Sequence, residues 1–268
     1  MTGGWLARGG GPVLLGAAGG RAATVRRFLR VRRLAGVVAV LAGLPVLALG
    51  GAAAAQAAGL GITVYPGLNQ PTSITAGPDG ALWFTDFGNN SIGRITTSGT
   101  VTTYTGRGIN GPIDITAGPD GALWFTNWGN NSFGSHPGRS IGRITTSGQV
   151  TTYTAPGVNQ PEGITAGPDG ALWFTNWAGN SIGRITTSGT ITTYTAPGVN
   201  QPIGITAGPG GTLWFTSYQS IGRITTTGTI TTHTSAGVVA PDAITAGPGG
   251  TLWFTCLADS IGRITVPG

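Results

Sequence analysis

One sequence motif recurs five times along this chain. Its first copy reads Ile74-Thr-Ala-Gly-Pro-Asp-Gly-Ala-Leu-Trp-Phe-Thr85, followed by Ser91-Ile-Gly-Arg-Ile-Thr96. The tryptophan of the motif returns at positions 83, 124, 173, 214 and 253. A period of about 40 residues, with short strand signals separated by Gly/Pro turns, is typical of a β-propeller. We therefore predict an all-β protein with this architecture.

Each repeat has the pattern of four antiparallel strands, which is one propeller blade. In the first repeat the predicted strands cover residues 74–77, 81–85, 91–96 and 100–105. The turn Gly77-Pro78-Asp79-Gly80 separates the first two, with proline at the position that favours its fixed φ. The third and fourth are separated by a Thr-Ser-Gly turn.

The two ends of the repeat array complement each other. The last copy ends after residues 261–266, without a fourth strand, whereas residues 61–65 precede the first copy and have the pattern of a fourth strand. We predict a ring of five four-stranded blades closed by the N-terminal strand 61–65, because closure would remove two exposed sheet edges. A truncated larger ring and an open array are the alternatives.

Two repeated residue types are predicted to be structural. The strand Ala-Leu-Trp-Phe-Thr is apolar on both faces, so both faces must be covered, and its tryptophan is predicted to pack between blades. An arginine occupies one register of the third strand in all five copies and is predicted to pair with a nearby carboxylate or backbone group. These arginines are Arg94, Arg143, Arg184, Arg223 and Arg263.

The basic character of the chain comes from its first 57 residues. Seven of the fourteen arginines lie there, which leaves seven against eight acidic residues in the repeats, a net charge of −1. The repeats therefore lack the basic surface that nucleic acid requires, and we predict no nucleic-acid partner.

Residues 1–57 have the pattern of an export leader that precedes a propeller domain at 58–268. Arginines are followed by an uncharged stretch at 34–55 and by the small-residue site Ala55-Gln56-Ala57. The pair Arg26-Arg27 is compatible with a twin-arginine signal. An uncleaved membrane anchor is also open, because 22 uncharged residues are long enough to cross a bilayer. The predicted location is secreted or extracytoplasmic, with membrane contact only through an uncleaved leader.

Ligand binding is predicted at one end of the blades, which we call the top face. It comprises the loop before each blade's first strand and the connection after each Trp-Phe-Thr. These segments vary between copies, whereas the turns at the opposite end hardly do. The candidate ligand-binding residues are Asp86, Phe87, Asp114, Asn127, Trp128, Glu162, Asn176, Trp177 and Tyr218, with Asp242 as a further acid.

The residue types on the top face allow two kinds of chemistry. Aromatic rings beside Asn and Asp suit sugars or flat-ring ligands, although the same rings could simply cap the core. Clustered acids could form an acid pair or hold a hard cation, although they could also be solvated rim acids. The predicted partner is a small-molecule, glycan or cell-surface ligand, and the sequence alone does not define a metal site.

The repeat Gly-Pro-Asp-Gly-Ala-Leu-Trp-Phe-Thr followed by Asn-Ser-Ile-Gly-Arg-Ile-Thr closely resembles that of the streptogramin lyase, or virginiamycin B lyase, family. The resemblance covers Gly61 to Gly268. It implies a seven-bladed propeller that opens the macrolactone ester of type B streptogramins, inactivating the antibiotic. The implied reaction is a magnesium-dependent elimination with a histidine base and glutamates near the metal.

At the positions where that family carries its working groups, this chain carries different residues. Ile203 stands where one family histidine would follow the proline, Asp242 stands at the other histidine, and Leu257 replaces a glutamate. A carboxylate of ordinary pKa is a weaker base than imidazole near neutral pH. We therefore predict a non-catalytic ligand-binding or interaction propeller with no cofactor. The alternative is a lyase with Asp242 as base and magnesium as cofactor.

Overall fold

The computed structural model describes residues 61–129 and 138–266. These residues form nineteen β-strands in five antiparallel sheets, and the only helices among them are short 3₁₀ turns at Pro209–Gly211 and Pro248–Gly250. The all-β propeller prediction is confirmed. The predicted leader, residues 1–57, lies outside the described residues. No helix within residues 61–129 and 138–266 is long and apolar enough to span a membrane.

Each sheet is one blade, and its strands pair in chain order. Blade 1 contains β1 (Pro71–Ala76), β2 (Leu82–Asp86), β3 (Ser91–Ile95) and β4 (Val101–Thr105). Blade 2 contains β5 (Pro112–Ala117), β6 (Leu123–Asn127), β7 (Ser140–Ile144) and β8 (Val150–Thr154). Blade 3 contains β9 (Pro161–Ala166), β10 (Leu172–Asn176), β11 (Ser181–Ile185) and β12 (Ile191–Tyr194). Blade 4 contains β13 (Ile205–Gly208), β14 (Thr212–Ser217), β15 (Ser220–Thr225) and β16 (Ile230–His233). Blade 5 contains β17 (Pro241–Ala246), β18 (Thr251–Cys256) and β19 (Ser260–Thr265).

Glycines shape the turns between strands, as the sequence predicted. In blade 1 the amide of Gly77 donates to the carbonyl of Ala81 at 2.7 Å, which closes the turn between β1 and β2. Gly80 in this turn has φ +74°, a conformation that a side chain would strain. Three of the four predicted strands agree with the observed ones to within one residue. The first strand instead begins three residues earlier than predicted, at Pro71.

The core lies between successive blades. The first strands contact one another in the order β1, β5, β9, β13 and β17. In the first of these interfaces Trp83 of blade 1 is fully buried and packs with Leu123 and Phe125 of blade 2. The same arrangement recurs around Trp124, Trp173 and Trp214. The predicted packing role of the tryptophans is thus confirmed at these four interfaces.

Hydrogen bonds orient each buried indole. Trp124 donates its Nε1–H to Asp120 Oδ1 at 2.9 Å, and Arg143 donates its Nε–H to the other carboxylate oxygen at 2.6 Å. The same triad recurs around Asp79 and Asp169. In blade 4 a glycine replaces the aspartate, and Trp214 donates instead to Thr212 Oγ1 at 3.2 Å. The prediction that the repeated arginines pair with carboxylates is therefore confirmed in blades 1 to 3.

Ring closure by residues 61–65 is not observed. These residues form no strand, and the last sheet has only the three strands β17–β19. Trp253 and Ile74 remain solvent-exposed at the two ends of the array, whereas their counterparts inside it are buried. The physical reason is that side-chain packing sets the rotation from blade to blade. Matching leftover strands in a sequence does not determine that rotation.

The ion pair between Arg143 and Asp120 should stabilise the fold at neutral pH. Burial of Asp120 opposes its ionisation, but hydrogen bonds from Trp124 and Arg143 outweigh this, so its pKa lies below the ordinary 3.8. Arg143→Gln should lower the free energy of unfolding by about 1 kcal/mol, since the pair is partly exposed. Urea denaturation at neutral pH measures the loss.

The loss of stability caused by Arg143→Gln should depend on pH. Because the folded pKa of Asp120 is lowered, the ion pair contributes fully above pH 3.8 and is lost as the pH falls through the lowered value. The difference between Arg143→Gln and the unaltered chain should therefore shrink in acid. Arg107→Gln, which removes an exposed arginine of equal charge, is the control. Equal losses for the two variants would contradict this role of the ion pair.

Candidate functional site

The structure brings the two variable segments of each blade together at the top face. In blade 3 the amide of Trp177 donates to the carbonyl of Gln160 at 3.1 Å, which ties the connection after β10 to the loop before β9. In blade 4 the amide of Tyr218 donates to the carbonyl of Asn200 at 2.8 Å. The predicted site residues therefore lie at one end of the blades.

Asp86, Asn127 and Asn176 are positioned inside the blades, not on a solvent-facing rim. All three end the second strand of their blade and are buried. Asp86 accepts the amide of Asn69 at 2.9 Å through Oδ1 and the side-chain amide of Asn89 at 2.7 Å through Oδ2. This carboxylate therefore anchors the leading loop of blade 1 to its second strand.

The two asparagines have the same anchoring role in the next two blades. Asn127 accepts the amide of Asn110 at 2.9 Å and donates to the carbonyl of Gly108 at 2.8 Å. Asn176 accepts the amide of Asn159 at 3.4 Å and donates to Ser181 Oγ at 3.0 Å. A short polar side chain at this position is thus used to hold the top-face loops.

The aromatic residues of the top face differ in accessibility. Phe87 is buried, and its ring centroid lies 6.4 Å from that of Trp128 in the next blade, with a tilted geometry. Trp128, Trp177 and Tyr218 are half-buried. These three residues remain the candidates for a stacking surface, and the buried Phe87 lies beside Trp128.

Asp114 joins three blades near their innermost strands. Its Oδ1 accepts the hydroxyl of Ser73 from blade 1 at 2.6 Å, and its Oδ2 accepts the amide of Ile164 from blade 3 at 2.9 Å. The Oδ1 atom also accepts the amide of Ile115 at 2.9 Å. Asp114 is therefore already engaged in fixing the relative positions of the first three blades.

Glu162 and Asp242 occupy equivalent positions two blades apart, each one residue after the proline that begins the first strand. Both are half-buried. The carbonyl of Glu162 accepts the hydroxyl of Thr126 at 2.7 Å, and that of Asp242 accepts the hydroxyl of Thr216 at 2.6 Å. The backbone at both acids is thus held by the preceding blade.

Sequence reasoning missed these threonines. Each ends a Trp-Phe-Thr segment, and Thr85 and Thr175 donate to the following blade in the same way, at 2.9 and 2.7 Å. The hydroxyl also accepts an amide of its own blade, as Thr175 does from Gly163 at 2.9 Å. We call this bond the threonine clasp. The signal was available, because threonine holds this position in all five copies.

The inner strands approach so closely that side chains are excluded at two positions. A β-carbon on Gly163 would lie 2.6 Å from the carbonyl oxygen of Ile203, and one on Gly204 would lie 2.7 Å from that of Asp242. These glycines follow Glu162 and Ile203 directly. The backbone around the candidate acids is therefore tightly packed.

The residues at the family's working positions do not fit a magnesium site. Ile203 and Leu257 have no metal-ligating atoms in their side chains, which leaves Asp242 as the only carboxylate of the three. Among residues 61–129 and 138–266, no group of three or more His, Cys, Asp or Glu side chains is placed to hold a metal ion. Magnesium requires several oxygen ligands in near-octahedral geometry.

The fold and the top face define a class: a repeat β-propeller whose blades are joined by threonine clasps and present acids and aromatic rings at one end. Residues 61–268 match the model of the Virginiamycin B lyase family, and the chain belongs to that family. The resemblance drawn from the repeat sequence is confirmed.

Solved structures of this family are similar to the chain. Selenomethionine-substituted virginiamycin B lyase from Staphylococcus aureus is 43% identical, with a TM-score of 0.66, over 73% of this chain and 67% of that one. A catalytically inactive histidine-to-alanine variant from the same organism, with quinupristin, is 44% identical, with a TM-score of 0.67, over 73% and 66%. The chain thus spans about two thirds of the length of these lyases.

A more distant likeness concerns the fold alone. The extracellular domain of a putative hybrid two-component system from B. thetaiotaomicron is 19% identical, with a TM-score of 0.58, over 74% of this chain and 29% of that one. The comparison with curated proteins gave no match.

Asn176 offers a direct test of the anchoring role. Asn176→Leu leaves the amide of Asn159 and the hydroxyl of Ser181 without their partner, so the free energy of unfolding should fall by about 2 kcal/mol. Asn176→Asp is the matched control, because aspartate can accept from both groups, as Asp86 accepts from two groups in blade 1. Urea denaturation compares the variants. Equal stability of Asn176→Leu and the unaltered chain would contradict the anchoring role.

Proposed function

We propose that this chain is a ligand-binding propeller of the virginiamycin B lyase family that does not catalyse the lyase reaction. The proposed ligand is a glycan, or a small molecule with flat rings, that stacks on the top face. The observation that carries the proposal is the residue set at the family's working positions, Ile203, Asp242 and Leu257. This set lacks the imidazoles and the metal-binding carboxylates that the elimination requires.

The aromatic rings support ligand binding on the same face. Trp128, Trp177 and Tyr218 are half-buried aromatic residues whose backbone amides are bonded to the leading loops. Preorganised aromatic surfaces bind flat ligands with little loss of side-chain entropy. A relative of 44% identity has been crystallised with quinupristin. Quinupristin is therefore the first ligand to test.

The lyase reaction is the second candidate. Sequence identity of 43–44% to virginiamycin B lyase favours it. Asp242 also lies at the position of a family histidine, and a carboxylate there could take a proton. In this case the chain would be an enzyme that inactivates an antibiotic. Residues other than Ile203 and Leu257 would then have to bind the magnesium ion.

Export forms part of the proposal. The leader pattern at residues 1–57 favours secretion or an extracytoplasmic location, where a small-molecule, glycan or cell-surface ligand would be met. After the leader, eight acidic residues outnumber seven arginines. This charge balance supports the absence of a nucleic-acid partner. Membrane attachment is proposed only through an uncleaved leader.

Calorimetric titration with quinupristin tests the binding function, with and without magnesium. We expect saturable binding that does not depend on magnesium. Trp177→Ala should weaken it by about tenfold, or about 1.4 kcal/mol, because the stacking surface is lost. Thr192→Ala, an exposed change on the outer strand of the same blade, should leave binding unchanged.

Mass spectrometry of the same mixtures distinguishes binding from turnover. We expect quinupristin to be recovered intact. Ester opening that requires magnesium and is abolished by Asp242→Asn would establish the lyase candidate instead. A folded chain that neither binds nor opens quinupristin would refute both candidates for this ligand class.

A further inference from the structure

One buried polar position is repeated at the top of every blade. The last residue of the second strand lies there, directly opposite the serine that begins the third strand. We call these two residues the strand-end pair. From blade 1 to blade 5 the second-strand member is Asp86, Asn127, Asn176, Ser217 and Cys256. Blade 1 therefore carries a carboxylate where the other four blades carry a neutral side chain.

In blades 2 and 3 an asparagine amide completes the strand-end pair. Asn127 donates from Nδ2 to the carbonyl of Gly108 at 2.8 Å and to Ser140 Oγ at 2.9 Å. Asn176 donates in the same way to Ser181 Oγ at 3.0 Å. A neutral amide with two N–H groups thus connects the serine hydroxyl with the loop before the blade.

Asp86 cannot make these bonds, because a carboxylate has no N–H group to donate. Both of its oxygens accept, Oδ1 from the amide of Asn69 at 2.9 Å and Oδ2 from the side-chain amide of Asn89 at 2.7 Å. Asp86 is fully buried, and both of these partners are uncharged. Within the described ranges the ion pairs involve other carboxylates, those of Asp79, Asp120 and Asp169. A buried carboxylate without an opposite charge is costly.

The serine of the same pair is also unsatisfied. Within residues 61–129 and 138–266, the hydroxyl of Ser91 is buried and has no hydrogen-bond partner. Ser91 is only 1% exposed, and strand pairing places it opposite Asp86. Its counterparts in blades 2 and 3 both contact the asparagine amide. Buried polar groups are almost always bonded, so an orphan hydroxyl beside a buried carboxylate indicates a ligand that bonds both.

The loop above the pair is held as it is in blade 2. The amide of Gly88 donates to the carbonyl of Asn69 at 2.8 Å, as the amide of Gly129 does to that of Asn110 at 3.1 Å. The carboxylate, the hydroxyl and the loop all belong to blade 1 and its leading segment. The unsatisfied pair therefore follows from the change of asparagine to aspartate within one blade.

From this strand-end pair we infer that Asp86 and Ser91 bind a monovalent cation, and that sodium is the ion the site takes. Carboxylate, hydroxyl and carbonyl oxygens are the ligands of hard cations. One positive charge neutralises the single carboxylate, whereas a divalent ion would leave a net charge buried. The carbonyl of Gly67, which the repeat places at the position of Gly108, is the third ligand.

The cation has the structural role that the asparagine amide has in blades 2 and 3. It connects the second strand, the third strand and the leading loop of blade 1, and it replaces two N–H bonds by oxygen–cation contacts. Binding to the folded chain alone stabilises that chain in proportion to the logarithm of the ion concentration. The proposal does not depend on the ligand of the top face.

Thermal unfolding of the full chain tests the site, with sodium chloride replaced by choline chloride at constant ionic strength. Sodium should raise the Tm of the unaltered chain by about 3 °C. Asp86→Asn removes the charge and supplies the amide that blades 2 and 3 use, so it should fold and lose the response to sodium. Asp259→Asn, which removes an exposed carboxylate, is the matched control and should keep the response.

Ser91→Ala tests the hydroxyl without changing the charge. The substitution breaks no hydrogen bond, so the Tm in choline chloride should not fall. The sodium concentration that gives half of the Tm rise should increase about tenfold, because one ligand oxygen is lost. An equal rise of Tm by Ser91→Ala in both salts would show a hydroxyl that contacts no ion, and would overturn the proposal.

Two further results would also overturn it. The first is a Tm of the unaltered chain that is the same in both salts, which is the result expected if water alone bonds the pair. The second is an equal response to sodium in the unaltered chain and in Asp86→Asn, which would indicate a general salt effect.

Discussion

The burial of the tryptophans of blades 1 to 4 in the following blade is the interaction on which the rest of the structure depends. Burial of a tryptophan side chain removes a large apolar area from water. The buried indole N–H then needs a hydrogen-bond partner. Blades 1 to 3 supply an aspartate, and blades 4 and 5 supply a threonine two residues before the tryptophan. Either an aspartate or a threonine thus accepts the indole N–H in the same packing arrangement. The repeated arginine then neutralises the carboxylate where it is present.

Threonine clasps and glycine contacts convert this packing into a rigid top face. In blades 1 to 4 the threonine hydroxyl one residue before the end of the second strand reaches the backbone of the next blade, so the first strands cannot shift independently. Polar residues such as Asp86 and Asn176 hold the loops above them. Much of the polar chemistry at this end is therefore structural. The proposed ligand contacts are the half-buried aromatic residues Trp128, Trp177 and Tyr218.

The sequence was informative where one residue type served the same purpose in every repeat. The strands, the turns, the packing tryptophans and the arginine partners could all be predicted, because local turn chemistry and strand alternation determine them. Asp86, Asn127 and Asn176 were predicted on an accessible rim, since polar residues at strand ends usually face water. Only the folded chain shows that these side chains turn inward to bond the amides of a loop 17 residues away.

By itself, the sequence determined a β-propeller of repeated blades and membership of the virginiamycin B lyase family, because periodic strand and turn signals are local. Only the tertiary structure decided whether residues 61–65 pair with the last sheet. Residues 61–65 match a fourth strand, but strand pairing needs a neighbouring edge, and the rotation between blades determines where that edge lies. That rotation comes from the packing of Trp83 and its equivalents and from the threonine clasps. It leaves Trp253 in blade 5 and Ile74 in blade 1 exposed.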